Sequence, residues 1–142
     1  MEPFLELVLC SAYQAGGRAV GVVLDCLGVV HAICAHRGLP APDGFPSMAA
    51  MLREGRVRAA SGFPPGWQQI GTSERWEDLD VLVYHGAAAP EPWCAVLDRG
   101  LVWTAHRDRG VYSVPSHRWP TRGITELWRF HASPGQAIPS VG

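Results

Sequence analysis

The stretch at residues 24–30 limits the possible folds most strongly, because it combines a helix start with a reactive side chain. Asp25 and Cys26 stand just before a glycine-containing apolar run that predicts a helix over residues 26–36, with Gly38 as its stop. A cysteine at a helix start lies at the positive end of the helix dipole, which favours the thiolate. Cys26 is therefore a candidate nucleophile, and the alternative is a small apolar residue packed in a buried helix.

Composition restricts the class of protein. The chain has 142 residues, of which 47% are hydrophobic, and this is enough for one domain with its own core. The net charge is −1 and the twelve basic residues, all of them Arg, are scattered, so we expect no nucleic-acid partner. No apolar run reaches transmembrane length and no leader pattern occurs, so we expect neither membrane insertion nor a signal peptide.

The four cysteines do not form a metal-binding pattern. They stand at Cys10, Cys26, Cys34 and Cys94, and these spacings fit no zinc site built from close pairs. We therefore expect no metal and no cofactor. Cys34 falls on the apolar stripe of the 26–36 helix and Cys10 falls in an earlier helical pattern, so both are expected to be structural.

The chain begins with helical patterns and continues with strands. Apolar residues at helical spacing predict a first helix over residues 3–14. A Pro- and Gly-rich loop follows at residues 62–66, for which Trp67 and Ile70 are expected to be anchors. Short apolar runs separated by turns then predict five strands, at residues 81–84, 93–97, 101–106, 111–114 and 124–130.

This order of elements predicts an α+β domain. We expect the N-terminal helices to pack on an antiparallel sheet of about five strands, joined as a meander. The domain is expected to span residues 1–132, and the small and Pro/Gly-rich residues 133–142 are expected to form a flexible tail.

A thiol nucleophile needs a base beside it and a group that orients this base. The predicted sheet offers His85 at the end of its first strand, Cys94 in the second and His106 at the end of the third. In a hairpin that turns at residues 98–100, Cys94 and His106 lie at the same end and could both face the start of the Cys26 helix. The spacing alone leaves the choice among the histidines open.

Several of these segments resemble one family. Residues 25–30, Asp-Cys-Leu-Gly-Val-Val, resemble the nucleophile motif of the NlpC-type papain-like cysteine peptidases, in the form found in cell-wall peptidases of bacteriophage tail modules and gene transfer agents. Residues 79–84 resemble the family's Gly-Asp-Leu-Val strand. In the hairpin that follows, the family has its catalytic His first and a polar residue twelve positions later, where Cys94 and His106 stand here. The resemblance covers residues 5–131 and implies a papain-like fold.

The resemblance also implies roles for individual residues. Cys26 takes the position of the nucleophile, His106 the orienting position, and Tyr13 that of a tyrosine that helps to bind the oxyanion, with a core aromatic as the alternative for Tyr13. Cys94 occupies the position of the catalytic His, and a thiol is a poor general base at neutral pH. Two compensations stay open. His106 or His85 could reach Cys26 directly, or the two thiols could form a disulfide or bind a soft metal ion together with His106.

A member of this family that lacks the catalytic His is expected to have a function other than efficient peptide hydrolysis. The resemblance therefore implies a bacteriophage tail-tip protein that has lost efficient catalysis and serves as a structural or cell-wall-contacting part, with other tail-tip proteins and peptidoglycan as partners. It is expected to be made in the host cytoplasm and carried in the virion. The alternative is an active cysteine endopeptidase or amidase that cleaves peptidoglycan stem peptides, and a third reading is a delivered toxin or effector of the same fold.

Overall fold

The computed structural model describes residues 1–43, 62–84, 93–124 and 126–131. In chain order their helices and strands are α1 (Pro3–Leu9), β1 (Ala12–Tyr13), β2 (Arg18–Ala19), β3 (Val23–Leu24), α2 (Cys26–His36), β4 (Trp67–Ile70), β5 (Val81–Tyr84), β6 (Trp93–Asp98), β7 (Leu101–His106), β8 (Gly110–Pro115), a short 3-10 helix (Ser116–Arg118) and β9 (Glu126–Phe130). The expected α+β class is confirmed. The expected tail at 133–142 lies outside the described residues. None of the described helices has the length and apolar character needed to cross a membrane.

Helix α2 has the bounds that the sequence predicts. Its apolar side chains are buried against the sheet, and these are Leu27, Val29, Val30, Ile33 and Cys34. The helix ends at its cap residue Arg37, and Gly38 follows with a φ of +84°, which glycine adopts without strain. Burial raises the pKa of Cys34 to about 12, as expected of a structural cysteine.

The first helix is shorter than the sequence predicts, since α1 ends at Leu9 and the chain then enters strand β1. Strand β1 pairs in parallel with β3, and β3 pairs antiparallel with β2, so three short strands form a small sheet. The backbone N–H groups of Ala12 and Gln14 donate to the carbonyls of Val22 and Leu24. This pairing competes with the continuation of α1, and the helical spacing of the apolar residues gives no sign of it.

The larger sheet has six strands in the order β4-β9-β5-β6-β7-β8, and all neighbouring strands are antiparallel. Strands β5 to β8 form the expected meander. Strand β9 does not extend it beyond β8 but returns to the other side of β5, where it also pairs with β4. Trp67 and Ile70, which were expected to anchor a loop, are the first and last residues of strand β4. The sequence Trp-Gln-Gln-Ile has no clear strand pattern, and the segment is a strand because it pairs with β9.

Successive side chains of these strands point to opposite faces of the sheet. The face toward α2 forms the main core with the helix, and its members include Val81, Val83, Cys94, Val96, Trp103 and Ala105. The other face has its own apolar cluster, whose members include Leu82, Ala95, Leu97, Val102, Trp119 and Leu127. The alternation decides which candidate residues can meet, because neighbours on one strand lie on opposite sides of the sheet.

Candidate active site

Cys26 is the first residue of α2, and Asp25 caps the helix in front of it. One carboxylate oxygen of Asp25 accepts a hydrogen bond of 2.7 Å from the backbone N–H of Gly28, and the other accepts one of 2.7 Å from Gly16. The cap satisfies a helix N–H that would otherwise lack a partner and ties the preceding turn to the helix. The Cys26 thiol therefore lies at a helix end that favours negative charge.

The glycines at positions 17 and 28 allow this turn and α2 to approach closely. A Cβ on Gly28 would overlap the carbonyl oxygen of Gly17. A Cβ on Gly17 would lie 2.8 Å from backbone atoms of both Val23 and Leu24. Backbone atoms cannot move aside as the end of a flexible side chain can. The Asp-Cys-Leu-Gly pattern therefore has a structural reason in its cap and its glycine, independent of any catalytic role of the cysteine.

Arg18 balances the negative charge beside the thiol. Its Nη1 donates to Asp25 at 2.7 Å and to the carbonyl of Gly17 at 2.8 Å, and its Nε donates to Asp43 at 2.9 Å. The carboxylate of Asp25 acts against ionisation of Cys26, and a guanidinium on the same carboxylate offsets this effect. The sequence analysis missed Arg18, since no local pattern links it to a helix cap seven residues later.

Cys94 lies on β6 opposite Val83 of β5, fully buried on the sheet face toward α2. Its thiol and its backbone N–H both donate hydrogen bonds to the sulfur of Cys26. Both cysteines are free thiols. The structure thus brings together the two residues that the sequence analysis assigned to the nucleophile and base positions.

The two thiols differ in how readily they ionise. The hydrogen bond from the Cys94 thiol lowers the pKa of Cys26 against the opposing effect of burial, and the N–H groups of Cys94 and Leu27 act in the same direction as this bond. Burial and the adjacent Cys26 raise the pKa of Cys94 well above that of a free thiol. A single negative charge on the pair therefore resides on Cys26, with Cys94 as the hydrogen-bond donor.

His106 ends β7 and does not share the face of the thiols. Its strand neighbour Ala105 is buried in the core that contains Cys94, so by alternation His106 leaves the sheet on the opposite side. The side chain is 48% exposed, and its Nδ1 accepts a hydrogen bond of 3.2 Å from the N–H of Asp108. The spacing allowed His106 to face the start of α2 together with Cys94, but in the structure His106 lies on the other side of the sheet. The ladder between β6 and β7 pairs Val96 with Trp103, and the side chains of Trp103 and Ala105 join the same core cluster as Cys94.

Tyr13 lies close to the start of α2. It stands on β1 opposite Leu24 of β3, and Leu24 is two residues before Cys26 in the chain. Its ring is partly buried against the core cluster that both Cys26 and Cys94 join. The predicted role in binding an oxyanion and the alternative role as a core aromatic are both compatible with this position, so the role of Tyr13 stays a prediction.

The remaining candidates add no further group to the site. His85, the alternative base, lies outside the described residues. Within the part of the chain that the structure describes, no three His, Cys, Asp or Glu side chains are grouped so that they could hold a metal ion. A soft metal held by Cys26, Cys94 and His106 therefore has no support, because His106 leaves from the other face of the sheet.

Comparisons with protein-family models, with curated proteins and with solved structures give no match for this chain. The likeness to the NlpC-type peptidases therefore depends on the residues of the nucleophile motif and the hairpin. The contact between Cys26 and Cys94 is an observation of the structure, and it does not depend on that likeness.

Proposed function

We propose that this protein is a bacteriophage tail-tip component with the fold of the NlpC-type cysteine peptidases, and that it no longer hydrolyses peptides efficiently. Residues 25–30 and 94–106 support this by their resemblance to the family's nucleophile motif and hairpin. The packing of α2, which begins with Cys26, on an antiparallel sheet is compatible with it. The protein would be made in the host cytoplasm, assemble with other tail-tip proteins and contact peptidoglycan in the virion.

The contact of Cys26 with a thiol carries the proposed loss of catalysis. In a cysteine peptidase, an imidazole beside the nucleophile takes up the thiol proton and later donates a proton to the leaving amine. Cys94 donates a hydrogen bond to the Cys26 thiolate, but burial raises its pKa so far that it retains its own proton. Of the candidate bases among the described residues, neither Cys94 nor His106 therefore protonates the amine or activates the water that would hydrolyse a thioester.

Peptidoglycan digestion tests this loss. We expect purified protein to release no Cys26-dependent product from sacculi at ordinary enzyme rates, because missing acid–base catalysis lowers a rate by about 10²–10⁴-fold. Soluble products are separated by chromatography and identified by mass spectrometry, with Cys26→Ala as the matched control. Cleavage by the unaltered protein that disappears in Cys26→Ala would contradict the proposal.

A gain-of-function variant makes the same test sharper. Cys94→His places an imidazole at the position where the family carries its base. Release of peptides by Cys94→His, but not by the double variant Cys26→Ala/Cys94→His, would support the proposed origin of the lost activity. Histidine is larger than the fully buried cysteine, so thermal unfolding must first show that the variant is folded.

The assignment to the virion needs its own experiment. Mass spectrometry of purified phage particles from the host that encodes this chain should detect the protein together with the tail proteins. Co-sedimentation of the Cys26→Ala protein with sacculi tests contact with peptidoglycan without any remaining thiol chemistry. Absence from the particles would contradict the tail-tip assignment and leave the test of catalysis unaffected.

An active cysteine endopeptidase or amidase is the second candidate. The observation that favours it is the lowered pKa of Cys26, which the Cys94 hydrogen bond causes at a helix start. In this case His85, which lies outside the described residues, would be the base, and its replacement by Ala would abolish digestion of sacculi. Expression in the periplasm of a test bacterium, with lysis as the readout, would identify an active delivered effector of the same fold.

A further inference from the structure

A second candidate site lies on the sheet face away from α2. A pocket of about 490 Å³ is formed there at the ends of β5, β6 and β8 and by the segment around Trp119. Its lining combines aromatic rings with guanidinium groups, from Tyr84, Trp93, Trp119, Arg109, Arg118 and Arg122. Pockets that bind small molecules have volumes of about 300–1,000 Å³, so this one is large enough for such a ligand.

The aromatic wall of this pocket is held in place by its own contacts. The rings of Trp93 and Trp119 stack with centroids 5.6 Å apart and planes 20° apart, and Tyr84 packs on Trp93 at 4.8 Å. The indole N–H of Trp119 donates to the hydroxyl of Tyr84, and that of Trp93 donates to the carbonyl of Ala105 at 3.2 Å. A wall that is ordered before a ligand arrives reduces the entropic cost of binding, and its flat π surface favours a flat ring.

Three arginines give the pocket an excess of positive charge. Arg109, Arg118 and Arg122 are all exposed at its rim, and none of the described lining residues is Asp or Glu. Arg109 lies over the ring of Tyr112 at 3.9 Å, a cation–π contact that positions its guanidinium. In the described part of the chain, none of the three pairs with a carboxylate. Their donors are therefore available to a ligand.

We propose that this pocket binds a small anion that carries a planar ring, with the ring on the indole wall and the anionic group on the arginines. Carboxylates and phosphates both match the planar fork of donors that guanidinium presents. The thiol pair lies on the opposite face of the six-stranded sheet, so the pocket is not the cleft of Cys26. The inference is independent of the proposed function.

Nuclear magnetic resonance of the full chain tests this proposal. Each of the six tryptophans gives its own indole N–H signal, and Trp93→Phe and Trp119→Phe identify the two from the pocket. The probes are adenosine monophosphate and indole-3-carboxylate, with adenosine and indole-3-carboxamide as uncharged counterparts. We expect saturable shifts of both signals with at least one anion. Its uncharged counterpart should bind at least about tenfold more weakly, because the charge-assisted hydrogen bonds are lost.

Arginine variants show whether the rim binds the anion. Arg118→Gln/Arg122→Gln should weaken binding by at least about tenfold, and Arg107→Gln, which changes an exposed arginine outside the pocket, should leave it unchanged. The anion that binds shows whether the site prefers phosphate or carboxylate. The proposal is overturned if neither anion gives saturable shifts, if each binds no better than its uncharged counterpart, or if the double variant binds as the unaltered chain does.

Discussion

Cys26 has a lowered pKa because of a neighbour that carries no charge. The Cys94 thiol donates a hydrogen bond to the Cys26 thiolate, while the carboxylate of Asp25 acts in the opposite direction. Arg18 binds that carboxylate at 2.7 Å and limits its effect. The reactivity of the Cys26 thiol therefore depends on the side chains of Cys94, Asp25 and Arg18, and a substitution can remove each of them separately.

Removing the Cys94 donor should make Cys26 less acidic. We expect Cys94→Ala to raise the pKa of Cys26, because the variant removes a hydrogen-bond donor that favours the thiolate. The rate of alkylation of Cys26 by iodoacetamide is followed against pH by peptide mass spectrometry, with the exposed Cys10 as an internal reference. An unchanged midpoint in Cys94→Ala would show that the bond has no such effect.

The two thiols should also react with a disulfide in two steps. The Cys26 thiolate attacks oxidised glutathione, which releases one reduced glutathione and forms a mixed disulfide; Cys94 then displaces the second glutathione and forms the Cys26–Cys94 disulfide. Because burial raises the pKa of Cys94, we expect the second step to be slow and the mixed disulfide to accumulate first. Intact-protein mass spectrometry follows both products. In a Cys10→Ser background, which removes the exposed thiol, Cys26→Ala should prevent both products. A mixed disulfide at Cys26 that never resolves would contradict the expected contact.

Among the elements, α2 and the turn before it form one packed unit. Alanine is about 1 kcal/mol better than glycine inside a helix, so Gly28→Ala would stabilise α2 if a Cβ had room. Here the Cβ meets the carbonyl of Gly17, and we expect the free energy of unfolding to fall by about 1–3 kcal/mol. Urea denaturation measures it, with Gly71→Ala as a control whose Cβ lies 3.8 Å from its nearest neighbour. A Gly28→Ala protein as stable as the unaltered chain would show that the turn can move.

In the molecule as a whole, Arg37 joins three segments that are distant in sequence. It forms two hydrogen bonds to Glu2, at 2.8 and 3.0 Å, and two to Asp98, at 2.7 and 3.0 Å. Asp98 ends β6 and is 1% exposed, whereas Glu2 is at the start of α1. A single guanidinium thus holds the N-terminal segment and the end of α2 at the turn that joins β6 to β7.

This arrangement predicts how stability depends on acidity. Hydrogen bonds from Arg37 and His36 lower the pKa of Glu2 from its ordinary value of 4.5 to about 2. Since the folded-state pKa lies below the unfolded value, the contribution of Glu2 is complete above about pH 4.5 and is lost as the pH falls toward 2. Glu2→Gln should therefore flatten the decline of the melting temperature in this window. Glu6→Gln, which changes an exposed residue of α1, is the control, and equal pH profiles for Glu2→Gln and the unaltered chain would contradict the prediction.

The sequence predicted those elements whose signals are local. Helix α2 has a capping acid, an apolar stripe and a glycine stop, and the strands of the meander are apolar runs between turns. The small sheet of β1 to β3 was not predicted, because each of its strands has only two residues and so shows no alternating pattern. Strand β4 was not predicted, because its pairing partner β9 lies far away in the chain. The position of β9 between β4 and β5 has the same origin.

For the candidate site, the helix pattern was enough to identify a thiol at a helix start, and the resemblance to the peptidase family pointed to Cys94 at the position of that family's base. Which groups meet Cys26 could not be read from spacing, because in a strand a shift of one residue moves a side chain to the other face. On β7, Trp103 and Ala105 share the core face of Cys94, and the alternation of side chains along the strand turns His106 away from it. Local patterns thus defined the elements and their candidate residues, whereas strand register, which depends on contacts between distant segments, set their neighbours.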